Sequence, residues 1–339
     1  MNRRDFLKTT LAGMAVVPLA GAAESSPAGR VMTVSGPIDT SALGPTLTHE
    51  HALVDFAGAE QTDPGGYDLD EAFATVLPHL QRIRDLGCGT FVDCTPAYIG
   101  RSPGLLARLS KASGVRILSN TGYYGAAGDK FLPAHAFTES ADALAERWVA
   151  EWKNGIGHSG VRPGFIKIGV DSGPLSEVDR KLVRAASRTH LRTGLIIMSH
   201  TGPAVPAFEQ LAVLAEEGVA TGAWIWTHAQ NEKDENALLR AADRGAWVGL
   251  DGVRADKTGF YVSRLQAFRA RGLLGRVLLS HDAGWYSPGE PGGGGFRPYD
   301  ALFTHLLPAL REGGFSDDEL RGLMETNPGS AFAVGVEKG

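Results

Sequence analysis

Eight short apolar runs alternate with amphipathic stretches of helical period. No other feature of the 339-residue chain constrains its fold as strongly. The runs are residues 46–51, 90–93, 116–120, 165–170, 195–200, 223–228, 246–251 and 277–282. Stretches 69–85, 176–192, 205–217, 232–244 and 259–272 carry apolar residues at helical spacing. Gly87, Gly114, Gly194, Gly218, Gly245 and Gly275 stand where helix C-caps are expected. Short continuous apolar runs suit parallel strands covered by helices on their outer face. The expected fold class is therefore α/β, a (β/α)8 TIM barrel in one domain over residues 30–339. A six-stranded doubly wound sheet is the alternative, but it wants a glycine-rich turn after its first strand, which is absent. Residues 30–44 read as a short N-terminal β-hairpin or extended lead-in.

Residues 1–23 read as an address rather than as part of the barrel. A basic start (Arg3, Arg4, Lys8) precedes a short, weakly apolar run that ends in Ala20-Gly21-Ala22-Ala23. The paired arginines followed by Phe6-Leu7-Lys8 resemble a twin-arginine signal peptide. The twin-arginine export machinery is then an expected partner, and the periplasm or cell exterior the expected location. No apolar run reaches the ~18 residues of a membrane span. The formal net charge is -5, and removing the basic leader makes the remainder more acidic, so no nucleic-acid partner is expected. Cys88 and Cys94 flank the second run, and six extended residues hold their Cα atoms ~20 Å apart, beyond disulfide reach. Two free packing thiols are expected.

The chemistry-bearing residues fall at the ends of the runs. His49 and His51, at i and i+2 of a strand, point to one side, and Glu50 to the other. His200, His228 and Asp282 end the fifth, sixth and eighth runs. In a parallel barrel these ends converge on one face, where the site is built. Lys167 lies inside the apolar run Phe165-Ile166-Lys167-Ile168. Burying its ammonium is costly, so desolvation lowers its pKa. A neutral amine can add carbon dioxide and become an anionic carbamate able to bridge two metal ions. It can equally form a Schiff base, as a lyase would use, or simply pair with Asp93 or Asp282. Tyr123 and Tyr124 follow the third run, and Trp285 and Tyr286 the eighth. They are candidates to wall an apolar substrate pocket, or to pack loops on the barrel rim. Trp226, two residues before His228, is expected to share its inward face. The Gly292–Gly295 run is a candidate lid hinge.

His49-x-His51, Lys167, His200, His228 and Asp282, in that order on those strands, resemble the phosphotriesterase family of the amidohydrolase superfamily. So do Thr-His-Glu-His, Ile-Lys-Ile-Gly, Ser-His-Thr-Gly, Gly249-Leu250-Asp251, Ser280-His281-Asp282 and Asn327-Pro328. The resemblance implies a metal-dependent hydrolase of carboxylic esters, lactones or phosphotriesters with two divalent cations, usually zinc. It implies that His49, His51 and Asp282 hold one cation and His200 and His228 the other. Carboxylated Lys167 and a hydroxide would bridge them, and Asp282 would take the hydroxide's proton. Three features depart from well-known members. Gly252 follows Asp251 where a proton-relaying histidine often stands; Ala229-Gln230-Asn231-Glu232 lacks an aspartate-rich turn; and Gly-Val-Arg254 replaces Arg-Tyr. Arg254 is a further candidate to reach a substrate carbonyl or carboxylate. A Schiff-base lyase and a weakly active, metal-loaded binding barrel are the alternative functions. A homodimer is left open.

Overall fold

The computed structural model describes residues 29–335 and Gly339; the signal-like segment 1–23 lies outside them. The chain begins with a hairpin, β1 (Arg30–Thr33) and β2 (Gly36–Asp39), paired antiparallel. Then come β3 (Thr46–Leu53), α1 (Leu69–Asp85), β4 (Thr90–Asp93) and α2 (Pro103–Ser113). The third barrel strand is split into β5 (Arg116–Leu118) and β6 (Asn120–Thr121), and α3 (Ala134–Thr138) and α4 (Ala141–Asn154) follow it. The remaining alternation is β7 (Phe165–Gly169), α5 (Glu177–Thr193), β8 (Ile197–His200), α6 (Ala204–Glu216), β9 (Trp224–Thr227), α7 (Glu235–Asp243), β10 (Trp247–Leu250) and α8 (Thr258–Ala270). The eighth barrel strand is β11 (Val277–Leu279), and β12 (Gly284–Tyr286) continues past it.

All barrel pairings are parallel. The strands form a (β/α)8 barrel, although ladder bonds alone divide it into the sheets β6-β7-β8-β9-β10-β11 and β12-β3-β4-β5. One division is the break at Ser119. At the other, side chains and single backbone bonds join the first and eighth strands. Thr48 Oγ1 donates to the Leu279 carbonyl, the His49 amide to Ser280 Oγ, and the Asp282 amide to the His49 carbonyl. The pairing of β3 with β4 shifts register between Leu47 and Glu50, as a β-bulge does.

Two apolar layers explain the strand pattern. Leu47, Phe91, Ile117, Ile166, Ile168, Ile197 and Trp226 pack outward against the helices. Val92, Cys94, Leu118, Phe165, Met198, Ile225 and Leu278 fill the barrel interior, where Val31 of the hairpin and Phe332 of the C-terminal region join them. The hydrophobic plug therefore occupies the end of the barrel opposite the polar strand ends. Removing Phe165 from it would cost ~3–5 kcal/mol. Trp226 is buried but belongs to the outer layer, with its Nε1 donating to the Gly202 carbonyl. The inward placement expected for it fails because His228 adopts a left-handed conformation (φ 58°), which ends the two-residue alternation. Gly114 and Gly194 cap α2 and α5 in left-handed geometry. Gly275 instead lies in a short 3-10 turn, and Gly272 takes the positive φ after α8. Cys88 and Cys94 are buried free thiols. Among the described residues no helix is long and apolar enough to cross a membrane.

Candidate metal centre

The barrel strands and their ends bring His49, His51, Lys167, His200, His228 and Asp282 around one cavity. His51 Nε2 lies 3.1 Å and His49 Nε2 3.7 Å from Asp282 Oδ1. The His200 and His228 rings are 4.3 Å apart, and His49 is 5.0 Å from His228. His228 and Asp282 reach the cavity from left-handed backbone positions (φ 58° and 53°), strained conformations of the kind that cluster at functional sites.

Each imidazole is held by its Nδ1. Asp251, the first residue after β10, accepts from His49 Nδ1 at 2.8 Å and from His228 Nδ1 at 2.7 Å. Thr95 Oγ1 lies 2.8 Å from His51 Nδ1, and the Tyr124 hydroxyl 3.0 Å from His200 Nδ1. The four Nε2 atoms face the cavity, that of His51 toward Asp282, and such Nδ1 hydrogen bonds are what orient metal-bound imidazoles. Ligating atoms of His49, His51 and Asp282 lie within 4.8 Å of one another, as do those of His49, His228 and Asp251. In the second group the contacts are hydrogen bonds, so Asp251 holds two imidazoles rather than forming a third ion site.

The electrostatics suit a cation. Burial, and then the Lys167 charge, lower the His49 pKa to about 4. Burial and the neighbouring His228 and Lys167 lower His200 further. Burial opposes ionisation of Asp251, but the His228 and His49 charges and hydrogen bonds outweigh it and hold the carboxyl well below its ordinary value. Asp282 is held low in the same way, with burial again opposed by the His51 hydrogen bond and the His49 and His51 charges. Burial lowers the pKa of Lys167. This side chain is 1% exposed, and among the described residues no hydrogen bond or ion pair holds its Nζ. The pairing with Asp93 or Asp282 weighed above is not made.

Two buried carboxylates matter more than their place in the sequence suggests. Asp251 is one. Glu50, pointing away from His49 and His51, accepts from Ser280 Oγ, the His281 and Ala283 amides and His281 Nδ1. It thereby fixes the segment that carries Asp282. A buried charge inside an apolar run was the available signal for Glu50, and a carboxylate at the seventh strand end was the signal for Asp251.

The aromatic candidates divide. Tyr124 and Trp285 line the cavity with Val54, Phe56, Pro96 and Ile99. Tyr123 does not; it packs on Trp148 and hydrogen-bonds His135. Tyr286 is buried against Gly293, where a Cβ would collide with its ring. Successive residues leave a strand end on opposite faces, so one of each aromatic pair turns to the core. Arg254 lies away from the cavity and pairs with Asp256 at 3.0 Å in solvent. Gly293 is buried and accepts from the Ser287 amide through its carbonyl, so this part of the glycine run is packed. Gly252 is explained by its neighbours: a Cβ there would lie 2.8 Å from both Gln230 Nε2 and the Tyr261 hydroxyl. Gln230 donates to Asp251 from that space.

A model of the phosphotriesterase family matches residues 29–332. The chain is 30% identical over 295 residues to the phosphotriesterase homology protein of Escherichia coli K12, covering 85% of this chain and 98% of that protein. It is 26% identical over 310 residues to the aryldialkylphosphatase of Saccharolobus solfataricus, covering 87% and 97%. It is 25% identical over 348 residues to the N-acetyltaurine hydrolase of Rattus norvegicus, covering 90% and 98%. The family match and the metal-binding geometry together support a metal-dependent hydrolase, and the chain belongs to the phosphotriesterase family.

Proposed function

We propose that this hydrolase carries two divalent cations, zinc by preference, and cleaves an uncharged carboxylic ester or lactone. The observation that carries the reading is the set of four imidazoles anchored through Nδ1 around one cavity, beside an ionised Asp282 and an unpartnered, buried Lys167. His49, His51 and Asp282 would hold one cation, His200 and His228 the other, and Lys167 both. Nitrogen and carboxylate donors fit zinc and its first-row neighbours. The cations would supply acidified water and polarise the substrate oxygen.

The chain's own residues do the rest. The neutral Lys167 amine attacks carbon dioxide, an N–C bond forms, a proton leaves, and the buried group becomes an anion. Asp282 can take a proton on its carboxylate and pass it to solvent; its depressed pKa makes it a shuttle rather than a store. Val54, Phe56, Ile99 and Trp285 exclude water from the acyl part of the substrate. Among the described residues Lys167 is the one ammonium or guanidinium in the cavity lining, and as a carbamate it carries no positive charge, so apart from the cations themselves the wall offers no counter-ion to an anionic substrate such as N-acetyltaurine. This favours neutral esters and lactones. Phosphotriesters, also neutral, are expected as poorer substrates. A Schiff-base lyase would leave the four anchored imidazoles without a role. Export by the twin-arginine route remains part of the proposal, resting on Arg3 and Arg4.

The test is a panel of lactones, aryl esters and phosphotriesters, with and without chelator. Chelator-sensitive turnover of esters or lactones, restored by zinc, cobalt or manganese, is expected. Chelator-resistant activity trapped by borohydride would replace this reading with the lyase.

A further inference from the structure

We propose that Arg297 is a positioning residue that clamps both Asp282 and the Trp285 pocket wall. The inference rests on the reading of Asp282 as a metal ligand. The segment from Asp282 to Trp285 leaves the eighth barrel strand in an improbable conformation. Asp282 and Trp285 are non-glycine residues at positive φ (53° and 73°), and Gly284 lies between them at 94°. Such positions persist only where surrounding contacts over-determine them. Arg297 supplies those contacts from the far side of the glycine-rich excursion 287–296. Its amide donates to the Gly284 carbonyl at 3.0 Å, and its own carbonyl accepts from the Gly284 amide at 2.9 Å. Its Nη2 donates to the Asp282 carbonyl. Its guanidinium lies over the Trp285 ring, 4.3 Å from the centroid.

The opposite face of this arrangement is the site. Trp285 packs edge-on to His51 at 6.1 Å and to Phe56 at 5.6 Å. Arg297 itself does not line the cavity. One planar cation therefore sets two things at once: the direction in which the Asp282 carboxylate leaves the backbone, and the position of the indole that closes the apolar side of the pocket. Lysine cannot do both, because its single ammonium head must choose between the carbonyl and the ring.

The test compares Arg297→Met and Arg297→Lys with the wild-type enzyme. Cobalt affinity is measured by chelator competition, and kcat and KM for para-nitrophenyl acetate at saturating cobalt. Arg297→Met should raise KM about tenfold through the lost ring contact. It should weaken one of two cobalt sites about tenfold through the freed Asp282 segment, with kcat at saturating metal within about threefold. Arg297→Lys should recover the cobalt affinity and leave KM raised. Adding Arg297→Met to Trp285→Phe should raise KM no further than Trp285→Phe alone. Cobalt affinity and KM both within about twofold of wild type in Arg297→Met would overturn the clamp, as would two defects that Arg297→Lys leaves equally uncorrected. Wild-type protein that binds no cobalt and cleaves no ester sinks the hydrolase reading instead. The clamp is then judged separately by chymotrypsin cutting at Phe296 in metal-free protein. Faster cutting in Arg297→Met supports it, and unchanged cutting overturns it.

Discussion

Asp251→Asn isolates the residue on which the geometry of the centre turns. The replacement is isosteric but exchanges one carboxylate oxygen for an amide that donates. In the native arrangement Oδ1 accepts from His228 Nδ1, the His228 amide and Gln230 Nε2, whereas Oδ2 accepts from His49 Nδ1 and shares the His228 amide. The asparagine oxygen keeps the Oδ1 side, where more donors meet, and its NH2 faces His49. Two donors cannot share that contact, so His49 must turn its lone pair to Nδ1 and protonate Nε2, which removes it as a ligand. Losing a hydrogen-bond partner of this kind costs about 10–100-fold in metal affinity, or ~1.4–2.8 kcal/mol. The loss should fall on the ion proposed for His49, His51 and Asp282 and spare the one proposed for His200 and His228. Chelator competition with cobalt should therefore resolve one weakened and one nearly native site, with kcat/KM down roughly 100-fold at limiting metal. Two sites of native affinity in Asp251→Asn, or equal loss from both, would show that Asp251 does not fix His49 as a ligand.

Other positions give independent tests. Gly252→His should not install a proton relay. Its side chain has to displace Gln230 and Tyr261, so activity should fall at least tenfold and thermal unfolding should come earlier. Gly284→Ala places a Cβ in contact with the His51 carbonyl at φ 94°; a loss of ~3 kcal/mol or more in urea unfolding is expected, and a loss below ~1 kcal/mol would contradict the packing. Asp179, at the start of α5, has its carboxyl raised by burial to about 6, above the ~3.9 of an unfolded chain. Folding thus favours its protonated form. Its contribution is full below about pH 4 and is lost as pH rises through about 6. Asp179→Asn should flatten the stability profile by ~1 kcal/mol across that window, measured by denaturant titration at several pH values; an unchanged slope would count against it.

Much of this molecule is legible in its sequence because a parallel (β/α)8 barrel leaves few choices. Strands that are covered by helices outside and packed inside must read as short apolar runs. The ends of those runs mark one face, so five polar residues there, with Lys167 inside the fourth run, can be grouped from the sequence. The failures share a cause: they depend on how the chain leaves a strand. Trp226 faces outward because His228 is left-handed. Tyr123 and Tyr286 turn to the core while Tyr124 and Trp285 turn to the cavity. Asp251 and Glu50 act through imidazoles contributed by other strands, and pairings across ~200 residues leave no periodic trace. Gly252 is intelligible only once Gln230 and Tyr261 are seen to occupy the neighbouring space.

The six polar residues around the cavity are proposed to form a two-metal centre with Lys167 at its middle. Metal analysis of purified wild-type and Lys167→Ala protein tests it most directly. Two divalent ions per wild-type chain are expected, with loss of metal and turnover in Lys167→Ala and partial return of both with a short carboxylic acid that refills the anionic position. Wild-type protein that is fully active without metal, or Lys167→Ala with unchanged metal content, would contradict it.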